Sequence, residues 1–149
     1  MKRLHVHMSV ENLEDNIRFY STLFASEPTV QHDDYAKWML DNPLVNFAIS
    51  NRGAKPGIDH LGMQTDDDEE LVDLKQRLDV TQQPIKTQEN SACCYAKSDK
   101  HWVTDPQGIA WESFHSLSEI PTFNEPVDTE TNESACCAPV AKEASPCCG

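Results

Sequence analysis

All six cysteines of the 149-residue chain occur as adjacent pairs, at Cys93-Cys94, Cys136-Cys137 and Cys147-Cys148. Neighbouring Cα atoms lie about 3.8 Å apart, whereas a relaxed disulfide needs roughly 4.4 to 6.8 Å, so a bridge within a pair would be strained. Two adjacent thiolates can instead bind one soft ion or thiophilic atom. The pairs therefore indicate metal or metalloid binding. For Cys93 and Cys94, the alternative is a role as two small buried apolar side chains.

A second group of candidate ligands lies on predicted strands at residues 4–10, 58–65 and 109–114. Alternation of apolar and polar residues places His5 and His7 on the polar face of the first strand, and His60 on that of the second. Glu112 lies on one face of the third strand. If these faces line one cavity, two imidazoles and a carboxylate converge, which is the ligand set of a non-haem Fe(II) site with open positions for dioxygen and substrate. His7 is an alternative ligand or a substrate contact.

The elements that carry these ligands are predicted to form a repeat. Residues 2–51 predict a strand, a helix and three further strands. A shift of 55 positions, the spacing from His5 to His60, aligns this unit with the following residues without a gap. Within the helices, the same shift places Ile17 on Val72, Phe19 on Leu74 and Leu23 on Leu78. The simplest account is one duplicated supersecondary unit.

The second module, at about residues 57–117, repeats the order of elements. Its acidic run at 66–70 fits the positive end of a helix macrodipole and predicts a helix start rather than a cation site. Strands are predicted near 85–88, 102–105 and 109–114, with Cys93 and Cys94 in the connection between the first two. The fold class is therefore α+β, with two tandem βαβββ modules.

The composition limits the kinds of partner. The chain has a formal net charge of −13 and a pI near 4.7, which argues against nucleic acid or an anionic membrane surface because both would repel it. No apolar run approaches the ~20 residues that a membrane-spanning helix needs, and the N-terminal residues lack a signal-peptide core. We therefore expect a soluble cytoplasmic protein whose cysteines stay reduced.

Three motifs follow one another in a specific order: His5-Val6-His7-Met8-Ser9-Val10-Glu11-Asn12-Leu13 with Phe19-Tyr20, then Asp59-His60-Leu61-Gly62, then Asp105-Pro106-Gln107-Gly108-Ile109-Ala110-Trp111-Glu112. They resemble the vicinal oxygen chelate superfamily, which includes glyoxalases, bleomycin-resistance proteins and extradiol dioxygenases. The resemblance covers about residues 2–117. It implies a pair of βαβββ modules that form a cupped mixed sheet around a metal on His5, His60 and Glu112.

Within that superfamily, residues 92–96 and 99–106 resemble the branch of organoarsenical carbon-arsenic lyases and cadmium-induced proteins. The branch implies Fe(II) as cofactor and dioxygen as co-substrate. It also implies that the thiols of Cys93 and Cys94 bind a trivalent organoarsenical, methylated or aromatic, which is cleaved to arsenite for arsenical detoxification. We expect three further residues around the metal or the substrate: His7, Tyr95 and Lys100.

Related functions require different residues. Glyoxalase I of this fold takes a fourth protein ligand from the last strand of the first module, but residues 45–50 contain no carboxylate or histidine. Three protein ligands favour oxygen chemistry over that isomerisation. The main alternative is a non-enzymatic cytosolic protein that binds cadmium or arsenite through its cysteine pairs. Monomer and homodimer both remain open, because the modules can pair within one chain or across two.

The chain changes character at Ser118. Four prolines, many acidic residues and little periodicity predict a mobile tail over residues 118–149, after a domain of residues 1–117. The tail carries two of the cysteine pairs: Cys136, Cys137, Cys147 and Cys148. These are either chance features or a flexible thiol trap that raises the local concentration of arsenical or arsenite near the cavity by tethering.

Overall fold

The computed structural model describes residues 1–119 and 121, which form one eight-stranded sheet with two helices. The first module contains β1 (Arg3–Ser9), α1 (Leu13–Phe24), β2 (Val30–His32), β3 (Tyr35–Asp41) and β4 (Leu44–Ser50). The second contains β5 (Gly57–Thr65), α2 (Asp68–Val80), β6 (Lys86–Cys93), β7 (Ala96–Thr104) and β8 (Ala110–Glu119). The predicted α+β class with two βαβββ modules is confirmed. The last strand ends two residues beyond the predicted domain boundary at residue 117.

The strand order places the ligand-bearing strands in the centre of the sheet. The order is β2-β3-β4-β1-β5-β8-β7-β6. Within each module the first and last strands are parallel, as in β1 with β4 and β5 with β8, and the other pairs are antiparallel. β1 and β5 pair antiparallel and join the two modules within one chain. The three strands that carry His5, His60 and Glu112 are therefore neighbours.

Both helices begin with a side-chain cap, and the second starts where the sequence predicts. The side chain of Asn12 caps α1 by accepting a hydrogen bond from the Asp15 backbone N–H at 2.9 Å. Asp67 caps α2 in the same way, with the Glu70 N–H at 2.8 Å, and acidic residues fill the first turn. The acidic run at 66–70 is thus a helix start. In the part of the chain that the structure describes, no helix is long and apolar enough to cross a membrane.

The core of the first module lies between α1 and one face of the sheet. Trp38, Phe47 and Ile49 are its buried centre, and Tyr20 and Phe24 of α1 pack against them. Aromatic rings meet there with centroid separations of 4.5 to 6.1 Å. This packing covers the sheet face opposite the candidate ligands, because side chains alternate along each strand.

The predicted repeat holds for the strands but is wrong for the helices. Phe19, predicted to match Leu74, is 60% exposed, whereas Leu74 is only 9% exposed. The buried face of α2 is offset by 54 positions, so Leu74 occupies the place of Tyr20 and Leu78 that of Phe24. A slip of one residue in a helix turns a side chain by about 100°, which is enough to move it from core to solvent.

β6 and β7 are also longer than predicted and form a hairpin. The sequence predicts strands only at 85–88 and 102–105, because the residues between them are mostly polar and lack a clean alternation. In the structure these polar residues pair across the hairpin from Lys86 with Trp102 to Cys93 with Ala96. Cys93 and Cys94 therefore lie at a tight turn rather than in a long connection.

Candidate metal and thiol site

Three predicted ligands converge on the sheet face away from the helices. The Nε2 atoms of His5 and His60 are 3.2 Å apart, and Oε2 of Glu112 lies 3.9 Å from the first and 3.5 Å from the second. All three side chains are buried. A metal with bonds of about 2.1 Å holds ligands at right angles about 3 Å apart, so these donors need to move only slightly to close on one ion. The donor set fits a divalent metal.

The two imidazoles are oriented by hydrogen bonds from their other nitrogens. Nδ1 of His5 donates to the Asn46 carbonyl oxygen at 3.1 Å, and Nδ1 of His60 donates to Oδ1 of Asp59 at 2.6 Å. Such outer contacts orient the rings and direct the Nε2 atom of each toward the other donors. Neither Asn46 nor Asp59 could be assigned this role from the sequence. Asp59 precedes His60 directly, but the sequence does not show that its carboxylate turns toward the ring.

His7 offers an alternative ligand set. The ring nitrogens of His5, His7 and His60 all lie within 4.8 Å of one another, so this group of histidines could also hold a metal ion. Nε2 of His7, however, forms a 2.9 Å hydrogen bond with Oγ of Ser50. The set that contains Glu112 has shorter separations and supplies a negative charge, and it is the better fit.

Burial and neighbouring charges set the protonation of the cluster. Burial lowers the pKa of His5 to about 4 and that of His7 to about 3. Burial also acts to lower the pKa of His60, but hydrogen bonds to Asp59 and Glu112 outweigh it and raise that pKa to about 9. Burial opposes ionisation of Glu112, yet the Lys100 ammonium and His60 hold its pKa well below the usual range. Metal binding therefore has to displace a proton from His60.

Lys100 supplies the charge that balances Glu112. Its Nζ lies 2.7 Å from Oε1 of Glu112 and 5.9 Å from the centroid of the Trp102 ring, and the residue is 3% exposed. The pair leaves Oε2 of the carboxylate turned toward the two imidazoles. Burial works against the charged amine, but Glu112 raises the pKa of Lys100, so both groups stay ionised.

Gly62 allows the strands of the cluster to approach closely. It lies between His5 on β1 and Glu112 on β8 in the strand register. A Cβ at this position would stand 2.3 Å from the Glu112 carbonyl oxygen, which is far inside contact distance. Only glycine permits this approach without moving the strand that carries Glu112.

The cysteine pair lies at the turn between β6 and β7. Cys94 and Tyr95 have φ angles of 57° and 62°, the left-handed conformation that a two-residue hairpin turn of type I′ requires. Residues other than glycine adopt it at a cost of order 1–3 kcal/mol each. The sulfurs of Cys93 and Cys94 are 2.9 Å apart, well beyond the roughly 2.05 Å of a disulfide. Cys94 is a free thiol, and burial raises its pKa to about 12.

Tyr95 attaches this turn to the first module. Its hydroxyl donates to Oδ1 of Asp34 at 2.6 Å, and its ring stacks on His32 with centroids 3.5 Å apart. Oδ2 of Asp34 in turn pairs with Arg52 at 2.9 Å. Tyr95 does not line the cavity itself, and its predicted place around the substrate site stays a prediction. It acts as a positioning residue that holds the turn across the sheet.

One cavity of about 40 Å³ connects two of the candidate metal ligands with the cysteine pair. His5 and Glu112 line one part of it, and Cys93 and Cys94 line another. The remaining wall includes His7, Tyr35, Lys37, Ser98, Lys100 and Phe114. This volume has room for only a few water-sized groups, so the cavity suits a small ligand. The predicted tail cysteines, Cys136, Cys137, Cys147 and Cys148, lie outside the described residues.

Comparison with known proteins decides the family. No family model matches the chain. A relative from Bacillus sp. strain MD1 is called trivalent organoarsenical cleaving enzyme. It is 39% identical over an alignment of 165 positions, gaps included, that covers 99% of both chains. The chain belongs to the trivalent organoarsenical cleaving enzyme family. Cadmium-induced protein CadI of Mycobacterium tuberculosis is 33% identical to this member and is aligned over 99% of the chain and 93% of its own length.

The solved structures support the superfamily at the level of the fold. The 2,3-dioxygenase LapB from Pseudomonas sp. KL28 matches with a TM-score of 0.58 and 21% identity, over 78% of this chain and 41% of that one. At that identity the likeness concerns the fold alone. Together with the family, it confirms the predicted membership of the vicinal oxygen chelate superfamily.

Proposed function

We propose that this family member is an Fe(II)-dependent dioxygenase that cleaves the carbon-arsenic bond of trivalent organoarsenicals and releases arsenite in the cytoplasm. The observation that carries the proposal is the cavity lined by His5, Glu112 and the pair Cys93-Cys94, with Nε2 of His60 only 3.5 Å from Oε2 of Glu112. A relative named for the cleavage of trivalent organoarsenicals, 39% identical over the whole length, supports the substrate class.

The cysteine pair is the proposed substrate clamp. A trivalent arsenical with one organic group has two exchangeable hydroxyls, and each can be replaced by one thiol sulfur of Cys93 or Cys94. With Cys93 and Cys94 both reduced, each thiol proton leaves with the displaced hydroxyl as water, so the exchange needs no ionised thiol. It is therefore compatible with the raised pKa of Cys94. A pentavalent arsenical, surrounded by oxygens, is refused until it is reduced.

His5, His60 and Glu112 are the proposed ligands of Fe(II). Bound there, Fe(II) would supply the activation of dioxygen and leave positions open for it. For methylarsenous acid the atoms balance without an external reductant, because one dioxygen and the methyl carbon end as formaldehyde and arsenous acid. The residues of the chain hold the carbon-arsenic unit beside the metal, balance the charge of Glu112 with Lys100 and exclude bulk water by burial.

The charge balance gives a testable prediction for Lys100→Met. Without metal, the variant leaves the buried Glu112 with only His60 as a positive neighbour, and we expect a loss of up to about 3–5 kcal/mol in the free energy of unfolding. Fe(II) would replace the missing positive charge, so the metal-induced rise in Tm should be larger than in the wild type. Anaerobic thermal unfolding with and without Fe(II) measures both effects.

The control for that comparison is Lys75→Met, which removes an exposed pair with Asp79 and should cost less than about 1 kcal/mol. A metal-induced Tm rise that is equal in Lys100→Met and in the wild type would show that Lys100 does not balance the charge at the metal site.

One experiment separates cleavage from simple binding. Binding without cleavage is the alternative function, and a relative that is called cadmium-induced protein is the reason to test it. The protein is loaded with Fe(II) and methylarsenite under argon, and the arsenic species are determined before and after air is admitted. Arsenite that forms only with both Fe(II) and air supports the proposed enzyme. Retention of methylarsenite without conversion would instead support a protein that binds arsenic or cadmium.

A further inference from the structure

A second cavity, of about 380 Å³, lies between α2 and the sheet of the second module, on the face away from the metal site. We call it the outer cavity, and its apolar wall consists of Met63, Leu74, Leu78, Val103 and Trp111. Polar side chains, including Arg77 and Gln83, are at its edge. The volume lies within the roughly 300–1,000 Å³ of small-molecule pockets, and an apolar cavity of about 150 Å³ is large enough to bind benzene.

The strands of the first module show which side chains fill the equivalent space between helix and sheet there. In that module Trp38 pairs with Phe47, and Phe47 pairs with the centre of β1. In the second module Val103 pairs with Trp111, and Trp111 pairs with the matching position of β5. Val103 therefore takes the place of Trp38, and Trp111 that of Phe47. At these two positions the second module therefore has one aromatic ring, where the first module has two.

The helices continue the same pattern. With the offset of 54 positions between the buried helix faces, Leu74 takes the place of Tyr20 and Leu78 that of Phe24. Tyr20 and Phe24 each pack within 5.2 Å of the Phe47 ring centroid in the first module. Three of four aromatic rings are thus replaced by aliphatic side chains in the second module. The outer cavity is the space that these rings would occupy.

We propose that the outer cavity binds a small uncharged aromatic molecule of one or two rings. Such a molecule would contact Trp111 and Met63 and take the place of the rings that Tyr20, Phe24 and Trp38 supply in the first module. The proposal does not depend on arsenical cleavage, because Trp111 and Glu112 alternate on β8 and point to opposite faces of the sheet.

Titration of the full-length protein with indole tests the proposal. We expect saturable binding at one site with a Kd of about 10 µM to 1 mM, the range that suits a ligand of this size. In protein labelled with ¹³C-methyl methionine, the Met63 methyl resonance should shift on binding. The resonance of Met8, the matching residue of the first module, should stay in place.

Variants that restore the missing rings provide the second arm. Val103→Trp and Leu78→Phe should each weaken indole binding at least 10-fold, whereas Val72→Phe on the exposed side of α2 should leave it unchanged. An absence of saturable binding to the wild type, or a Met63 resonance that does not move, would overturn the proposal. Unchanged binding by folded Val103→Trp and Leu78→Phe would do the same. The wild-type measurement decides even if a variant does not fold.

Discussion

Replacement of His60 with alanine is expected to abolish tight Fe(II) binding while the fold remains intact. The imidazole is 3.2 Å from His5 and 3.5 Å from Glu112, and it alone is held by the Asp59 carboxylate. Its loss leaves two ligands and removes the oriented nitrogen, so we expect at least a roughly 100-fold loss of affinity, at or beyond the upper range for losing an outer contact. Anaerobic Fe(II) titration measures the affinity, and circular dichroism checks the fold.

Two matched histidine variants define what the result means. His101→Ala removes a histidine of β7 whose ring contacts Thr87 at 2.9 Å, and it should leave iron binding unchanged. His7→Ala distinguishes the two ligand sets. A small effect supports the set with Glu112, and a loss as large as that of His60→Ala would support the three histidines instead. An Fe(II) titration of His60→Ala that matches the wild type would exclude both sets.

Cys94→Ser is expected to keep Fe(II) and lose the cleavage of methylarsenite. The substitution changes one atom at a turn that is already fixed by the backbone and by Tyr95, so the metal ligands should not move. A hydroxyl is a poor ligand for a soft atom, and arsenic held by one sulfur would no longer be fixed beside the metal. We expect arsenite formation to fall at least about 100-fold, the scale on which a small misplacement reduces rate.

The tail provides the matched control for that variant. The double change Cys136→Ser with Cys137→Ser removes an adjacent pair of the same chemistry from the predicted tail, and it should retain turnover at saturating methylarsenite. Arsenite formation and bound arsenic per chain are measured for each protein. Full activity of Cys94→Ser would eliminate the clamp. A tail that acts as a thiol trap should show itself only at low substrate, where a chain ending at Leu117 would turn over more slowly.

The strand faces of the candidate ligands follow from local geometry, which is why the sequence could predict them. Side chains alternate along a strand with a period of two, so His5, His60 and Glu112 could be assigned to faces without knowledge of the fold. Their meeting depends on which strands are neighbours, and the repeat suggested that arrangement. The alignment of the two helices was wrong by one residue. The second module has one residue fewer than the first between its first strand and the buried face of its helix.

Other parts of the site depend on tertiary contacts that leave no local pattern. The ion pair of Lys100 with Glu112 joins two strands whose length was underestimated, since polar strands without alternation resemble loops. The stack of Tyr95 on His32 crosses from one module to the other. The outer cavity depends on which residues of α2 face the sheet, and the repeat in the sequence misplaces that face by one residue.

The stoichiometry of one turnover tests the proposed chemistry most directly. Wild-type protein loaded with Fe(II) and one equivalent of methylarsenite under argon is mixed with a known amount of dioxygen in a closed oxygen electrode. Arsenite and formaldehyde are then quantified in the same sample. The proposed reaction predicts one dioxygen consumed for each arsenite and each formaldehyde formed. Arsenite formed without oxygen uptake, or oxygen uptake with methylarsenite left intact, would contradict it.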